Sequence, residues 1–169
     1  CHMPTTFYMQ RHPRHDHGFT VPDPRLTKEL GIPNACNRCH TNQTSDWSLE
    51  AMNKWYGPRT NELMRTRATA IARARAGDAT AVIVLTSMTT TETNFFWRAV
   101  AANLLRPWAG EHPVRDALVK SAHDTNELVR AMAVRALEAY GGAAGTPAAG
   151  ALTVGLDDPA RNVRIDAAW

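Results

Sequence analysis

The sequence predicts an all-α protein in two parts: a loop-rich segment over residues 1–57, then stacked helix pairs over residues 58–169. Three observations predict it. Prolines and histidines crowd the first 43 residues. Helix caps and amphipathic spacing take over from residue 44. An arginine then recurs at Arg98, Arg130 and Arg164, 32 and then 34 residues apart, and a period of this size marks stacked supersecondary units.

The first part carries Pro4, Pro13, Pro22, Pro24 and Pro33. Proline lacks the backbone N–H and fixes φ, so long helices are excluded here. The apolar residues are Phe7, Tyr8, Phe19, Val21, Leu26, Leu30 and Ile32, at neither strand nor helix period. So small a segment does not close a core unaided and needs a staple.

Helices follow. Thr44 or Ser45 can cap one holding Trp47, Leu49, Met52, Trp55 and Tyr56, ended by Gly57-Pro58. A second begins near Thr60 and runs through Leu63, Met64, Ala68 and Ile71 to Gly77. Asp78 then caps a short apolar helix from Ala81 to Met88. Three similar stretches come next: Glu92 to Leu105, Asp124 to Leu137 and Asp158 to Trp169. Each opens on an acid, and those at 124 and 158 are expected to cap their helices. Each has a large apolar residue (Trp97, Val129, Val163) before its arginine and an alanine (Ala101, Ala133, Ala167) three positions after it. Shorter helical stretches lie between them, Pro113 to Ala122 and Pro147 to Leu156, with proline in the first turn. Over residues 78–169 this pattern resembles HEAT repeats, in which an Asp at the helix start and a Val-Arg pair recur. The resemblance implies an α-solenoid, with Val129, Ala133, Val163 and Ala167 facing inward. The first copy departs from it at Phe95-Phe96-Trp97.

Composition excludes two function classes. Hydrophobic residues make up 44% and charged residues 21%, the balance of a soluble globular protein. The net charge is only +3, and the arginines are spread at helical spacing rather than clustered, so no nucleic-acid partner is expected. No apolar run reaches the length of a membrane span.

The chemistry concentrates in the three cysteines. Cys36-Asn37-Arg38-Cys39-His40 reads as C-x-x-C-H, the attachment pattern of a c-type haem. Two thiols form thioethers to the two vinyl groups, and the adjacent histidine serves as proximal iron ligand. Three other chemistries use parts of this pattern. Zinc could take Cys36, Cys39 and two histidines. A redox dithiol prefers a βαβ setting, for which there is no pattern here. A plain disulfide leaves His40 without a role.

Residues 1–57 are similar to the C-terminal haem-binding part of multihaem cytochromes c related to the ammonia-forming nitrite reductases and the cytochrome c554 group. In that family a C-x-x-C-H-M-P site is followed by Asp-His and then by a further C-x-x-C-H. The corresponding residues are Cys1-His2-Met3-Pro4, then Asp16-His17, then Cys36 to His40. The resemblance implies that Cys1 is the second thioether cysteine of a preceding haem, with His2 its proximal ligand. It also implies that His17 is an axial ligand, of the haem at Cys36 and Cys39 or of the neighbouring one at His2. A loop from His17 to Cys36 is long enough to pass around a porphyrin edge. His12 and His15, beside Arg11 and Arg14, complete a local cluster in which His15 is the competitor. Met3 and Met9 are read as packing residues, and His112 and His123 as surface groups.

The chain begins at Cys1 and stops at Trp169 inside an amphipathic pattern, and is read as a piece of a longer protein. The expected function is electron transfer through covalently bound haem c, outside the cytoplasm, in the periplasm or at the cell surface. Expected partners are other haem domains or redox proteins, with a protein partner on the helical repeats. No catalytic residue is assigned: the family's catalytic haem carries C-x-x-C-K, which is absent here. Two alternatives stand beside this reading. One is the terminal piece of a multihaem oxidoreductase acting on a nitrogen or sulfur oxyanion. The other is a zinc-stapled HEAT-repeat scaffold.

Overall fold

The computed structural model describes residues 5–15, 23–57 and 62–169. The described residues form ten α-helices and one β-hairpin, so the fold is all-α in class. The chain divides into two compact units, Cys1–Ala68 and Thr69–Trp169.

The first unit opens with strands β1 (Thr5–Tyr8) and β2 (His12–His15), paired antiparallel with Thr5 opposite His15 and Tyr8 opposite His12. Both strands are exposed along their whole length. Met9 and Gln10 turn the chain at φ 49° and 61°, a left-handed conformation unusual for residues with a Cβ. Helix α1 (Pro24–Leu30) starts on the Asp23 carboxylate, which accepts from the Arg25 N–H. It ends where Gly31, at φ 68°, donates to the carbonyls of Leu26 and Thr27, the left-handed stop that glycine adopts without strain. Helix α2 (Ala35–Cys39) is short, and α3 (Ser45–Tyr56) begins on the Thr44 hydroxyl, as expected for that cap. Both α1 and α2 pack on α3. The first part is therefore built from a hairpin and short helices rather than from loops alone.

Helix α4 (Glu62–Arg75) runs through the division between the units. In the second unit Asp78 caps a single 3₁₀ turn, Ala79–Ala81, that leads into α5 (Val82–Thr91). Then come α6 (Phe95–Leu104), α7 (His112–Ser121), α8 (Glu127–Ala136), α9 (Pro147–Leu156) and α10 (Arg161–Ala168). They pair as α5 with α6, α7 with α8 and α9 with α10. Within one row α5 packs on α7 and α7 on α9; within the other, α6 packs on α8 and α8 on α10. Leu85, Leu105, Val114, Leu118, Val129, Leu137 and Val163 are fully buried between the rows, each burial worth about 1.5–3 kcal/mol. Val129, Ala133 and Val163 are buried as expected, and Ala167 packs half-buried against the core that holds Ala133 and Val163. Small residues set the spacing. A Cβ on Gly155 of α9 would lie 3.0 Å from the Ala167 Cβ and 3.4 Å from Val134.

Asp124 and Asp158 do not cap their helices. Asn126 caps α8 by accepting from the Leu128 N–H, and α10 starts at Ala160 with no side-chain cap. Each aspartate instead accepts one N–H two residues on, from Asn126 or Ala160, both at 2.8 Å. The rest of each carboxylate is taken by the arginine of the preceding pair. Arg98 donates to Asp124 from Nε (2.8 Å) and Nη2 (3.0 Å), and Arg130 does the same to Asp158 (2.7 and 2.9 Å). Nη1 of each arginine meanwhile binds two carbonyls at the start of its own helix: Glu92 and Thr93 for Arg98, Asp124 and Thr125 for Arg130. A bidentate guanidinium–carboxylate pair is stronger than a neutral cap, so the aspartates serve the ladder.

That ladder sets the charge state of its acids. Burial pushes the Asp124 carboxyl up, but the Arg98 guanidinium and the Asn126 N–H outweigh it and hold the group below the usual carboxylate range. Asp158 is held low chiefly by Arg130.

Candidate functional site

The cysteines of the C-x-x-C-H pattern fall on α2, whose geometry comes from its polar neighbours. Asn34 is extended (φ −107°, ψ 155°) and caps the helix, its Oδ1 accepting from the Asn37 N–H at 3.0 Å. Its Nδ2 donates to Thr27 Oγ1 of α1 at 2.8 Å and to Asn37 Oδ1 at 2.9 Å. Asn37 in turn donates from Nδ2 to the Gln43 carbonyl at 2.7 Å and accepts from the Ser48 hydroxyl of α3 at 2.9 Å. Asn34 is 5% exposed and Ser48 is fully buried. A satisfied buried network of this kind specifies one arrangement. It ties α2 to α1, α3 and the loop between α2 and α3 through the first variable position of the motif.

Cys36 and Cys39, at i and i+3, share one helix face. Both are free thiols, Cys36 half-buried and Cys39 exposed, so no disulfide joins them. His40 closes the helix, its N–H on the Cys36 carbonyl at 2.9 Å. Its exposed ring lies 4.8 Å from that of Trp47, tilted by 50°. Among the described residues neither ring nitrogen of His40 has a hydrogen-bond partner, so the imidazole is oriented by packing and open to a metal. Lys28 and Asp46 add an exposed ion pair at 2.9 Å between α1 and α3, which raises the Lys28 pKa through the Asp46 hydrogen bond.

The donor set fits a c-type haem: two unpaired thiols on one face, followed by an accessible imidazole. Among the described residues of this unit the buried apolar side chains are Pro24 and Leu26, whereas Phe7, Met9, Ile32, Trp55 and Tyr56 are exposed.

Of the other expected site residues, Cys1, His2 and His17 lie outside the described residues, as do Met3 and Asp16. His12 and His15 sit on β2, three positions apart and so on opposite faces. His15 Nδ1 is 3.4 Å from the Thr5 hydroxyl, and Arg14 lies over the Tyr8 ring at 4.9 Å. His112 and His123 are exposed as expected, His112 pairing with Asp116 at 3.0 Å. The residues that sequence reasoning missed are Asn34, Asn37 and Ser48. The available signal was Asn34 itself, a strong N-cap residue immediately before Ala35.

Compared with protein-family models, characterised proteins and solved structures, the chain matches none.

Proposed function

We propose that this chain is an electron-transfer part of a multihaem cytochrome c, with a haem joined through Cys36 and Cys39 and carried by His40. The observation behind the reading is the one-sided anchoring of α2. Asn34, Asn37 and Ser48 engage one side of the helix, while Cys39 and His40 stay exposed and Cys36 half so. A haem bound there supplies one-electron redox chemistry at a potential set by axial ligands and burial. The chain's own residues would position it: the network fixes α2, and Trp47 orients the His40 ring. His17 is the proposed distal ligand, and Cys1 with His2 the proposed share of a neighbouring haem. Two histidine ligands would leave the haem no position for substrate, which suits relay.

Zinc is the weaker reading. It needs four protein ligands, and among the described residues no three His, Cys, Asp or Glu side chains gather to hold an ion. A porphyrin brings four nitrogens of its own. Residues 58–169 complete the proposal as a HEAT-like α-solenoid that docks protein. No described helix is long and apolar enough to cross a membrane. Thioether attachment of haem occurs outside the cytoplasm, so the periplasm or the cell surface is the proposed location.

The test is maturation in a host competent for cytochrome c assembly, followed by acid–acetone extraction. Haem should stay with the protein, and one covalent haem should be lost on replacing both Cys36 and Cys39 by Ala. In electron paramagnetic resonance, His17→Ala should turn one low-spin haem high-spin. If His15→Ala does this and His17→Ala does not, the distal ligand is His15. Haem that washes out of the unmodified protein refutes the reading.

A further inference from the structure

The arginine ladder has one rung without its carboxylate. Arg164 repeats the inner half of the pattern, its Nη1 on the carbonyls of Asp158 (2.6 Å) and Pro159 (2.9 Å). Arg98 and Arg130 make the same two bonds and also clamp an aspartate through Nε and Nη2. Among the described residues, nothing lies on Nε or Nη2 of Arg164. The apolar positions around it show the same mismatch. Ala131, next to Arg130 on α8, is 1% exposed in a helix that packs on α10, whereas the matching Ile165 is 46% exposed. Ala122, which follows α7, is 8% exposed, whereas the matching Leu156 of α9 is 47% exposed. The surface that α8 and α7 bury against α10 and α9 is thus reproduced on α10 and α9, uncovered and with the Nε–Nη2 edge of a guanidinium open in its middle.

We infer that this face, centred on Arg164, Ile165 and Leu156, docks a further helix pair whose second helix is preceded by an aspartate, clamped by Arg164 as Asp124 is by Arg98 and Asp158 by Arg130. The occupant is specified by continuity with two interfaces already in the molecule and by charge: a planar donor fork matches a carboxylate. A second copy of this chain is a poor occupant. Its residue at the aspartate position is Glu92, which is buried at 7% exposure and already engaged. The inference rests on the stacked-repeat reading of this unit and is independent of the haem reading.

The experiment extends the full chain. A copy of residues 104–137 placed directly after Trp169 sets its aspartate 26 residues beyond Arg164, the separation of Arg98 and Asp124. Hydrogen exchange is then read for α10, with α8 as internal reference. The extension should slow exchange in α10 by about tenfold or more, the signature of a packed rather than a fraying element. Changing the copied aspartate to Asn should return most of that protection, and Arg164→Gln should remove more protection from the extended chain than from the original. The inference is overturned if α10 exchanges as fast with the extension as without it, or if the Asn version protects equally. It is also overturned if the original chain sediments as a dimer through this face, since a second copy is then the occupant. Arg130→Gln in the original chain separates the two levels. If it leaves α8 and α10 as protected as before, the stacked-repeat reading itself fails.

Discussion

The two compact units hold their helices by opposite means. In Thr69–Trp169, cohesion is spread over many buried Leu, Val and Ala side chains, and polar contacts are added at the helix starts, where Arg98 and Arg130 reach forward. Among the described residues of Cys1–Ala68, buried apolar side chains are few, and a chain of amide and hydroxyl contacts runs through Thr27, Asn34, Asn37 and Ser48. The aromatics that would make a core there, Phe7, Trp55 and Tyr56, are on the surface. A unit of the first kind is held together by its own apolar core. A unit of the second kind has a specified frame and an unfilled apolar demand, the condition expected where a prosthetic group completes the fold.

The comparison sharpens if each unit is damaged by its own currency. Leu118 is fully buried in the core of the second unit. Leu118→Ala should cost about 2–5 kcal/mol, the usual range for a buried Leu truncation, read as a lower thermal midpoint of that unit. A loss well under 1 kcal/mol would mean that the core is looser than described.

Acid attacks the ladder. Asp124 and Asp158 have folded pKa values below their ordinary ones. Their contribution is therefore fully present above the unfolded carboxylate value, about 3.9, and is lost as pH falls through the lower folded value. The second unit should keep constant stability from neutral pH to about pH 5 and lose it below about pH 4. Asp158→Asn should flatten that acid limb in denaturant titrations. An unchanged limb would remove the Arg130–Asp158 pair from the account.

The smallest effect belongs to the frame around α2. Ser48→Ala removes the hydroxyl that donates to Asn37 Oδ1 and should cost about 1 kcal/mol, a typical net hydrogen bond. The loss should appear as faster exchange at α2 and α3, with α8 unaffected. Equal loss in both units would break the division drawn between them.

How much of this was readable from the residues differs between the units for a physical reason. Helix α9 runs Pro147–Leu156 as its proline and apolar spacing indicate, and α3 starts on Thr44 and stops at Gly57 as its caps indicate. These are local signals. The role of Asp124 and Asp158 is not local: their partners lie 26 and 28 residues away, and a cap rule applied to a nearby helix start picks the wrong job. The hairpin was missed because its turn uses Met9 and Gln10 at positive φ instead of the glycine or asparagine that announces such turns. Asn37 was invisible as a structural residue because it occupies a position that the haem motif leaves free. At the candidate site, the type and spacing of Cys36, Cys39 and His40 were legible, whereas the frame that presents them depends on side chains of α1 and α3 and on the Gln43 carbonyl between α2 and α3.

The account stands or falls on the covalent state of Cys36 and Cys39. The most direct measurement is peptide mass mapping of the protein matured in a host that assembles cytochromes c. The peptide spanning Cys36 to His40 should be heavier by one haem, joined through both sulfurs, and should carry the Soret absorption. The same peptide recovered with free thiols or a disulfide, while other proteins of that host are correctly matured, would contradict it.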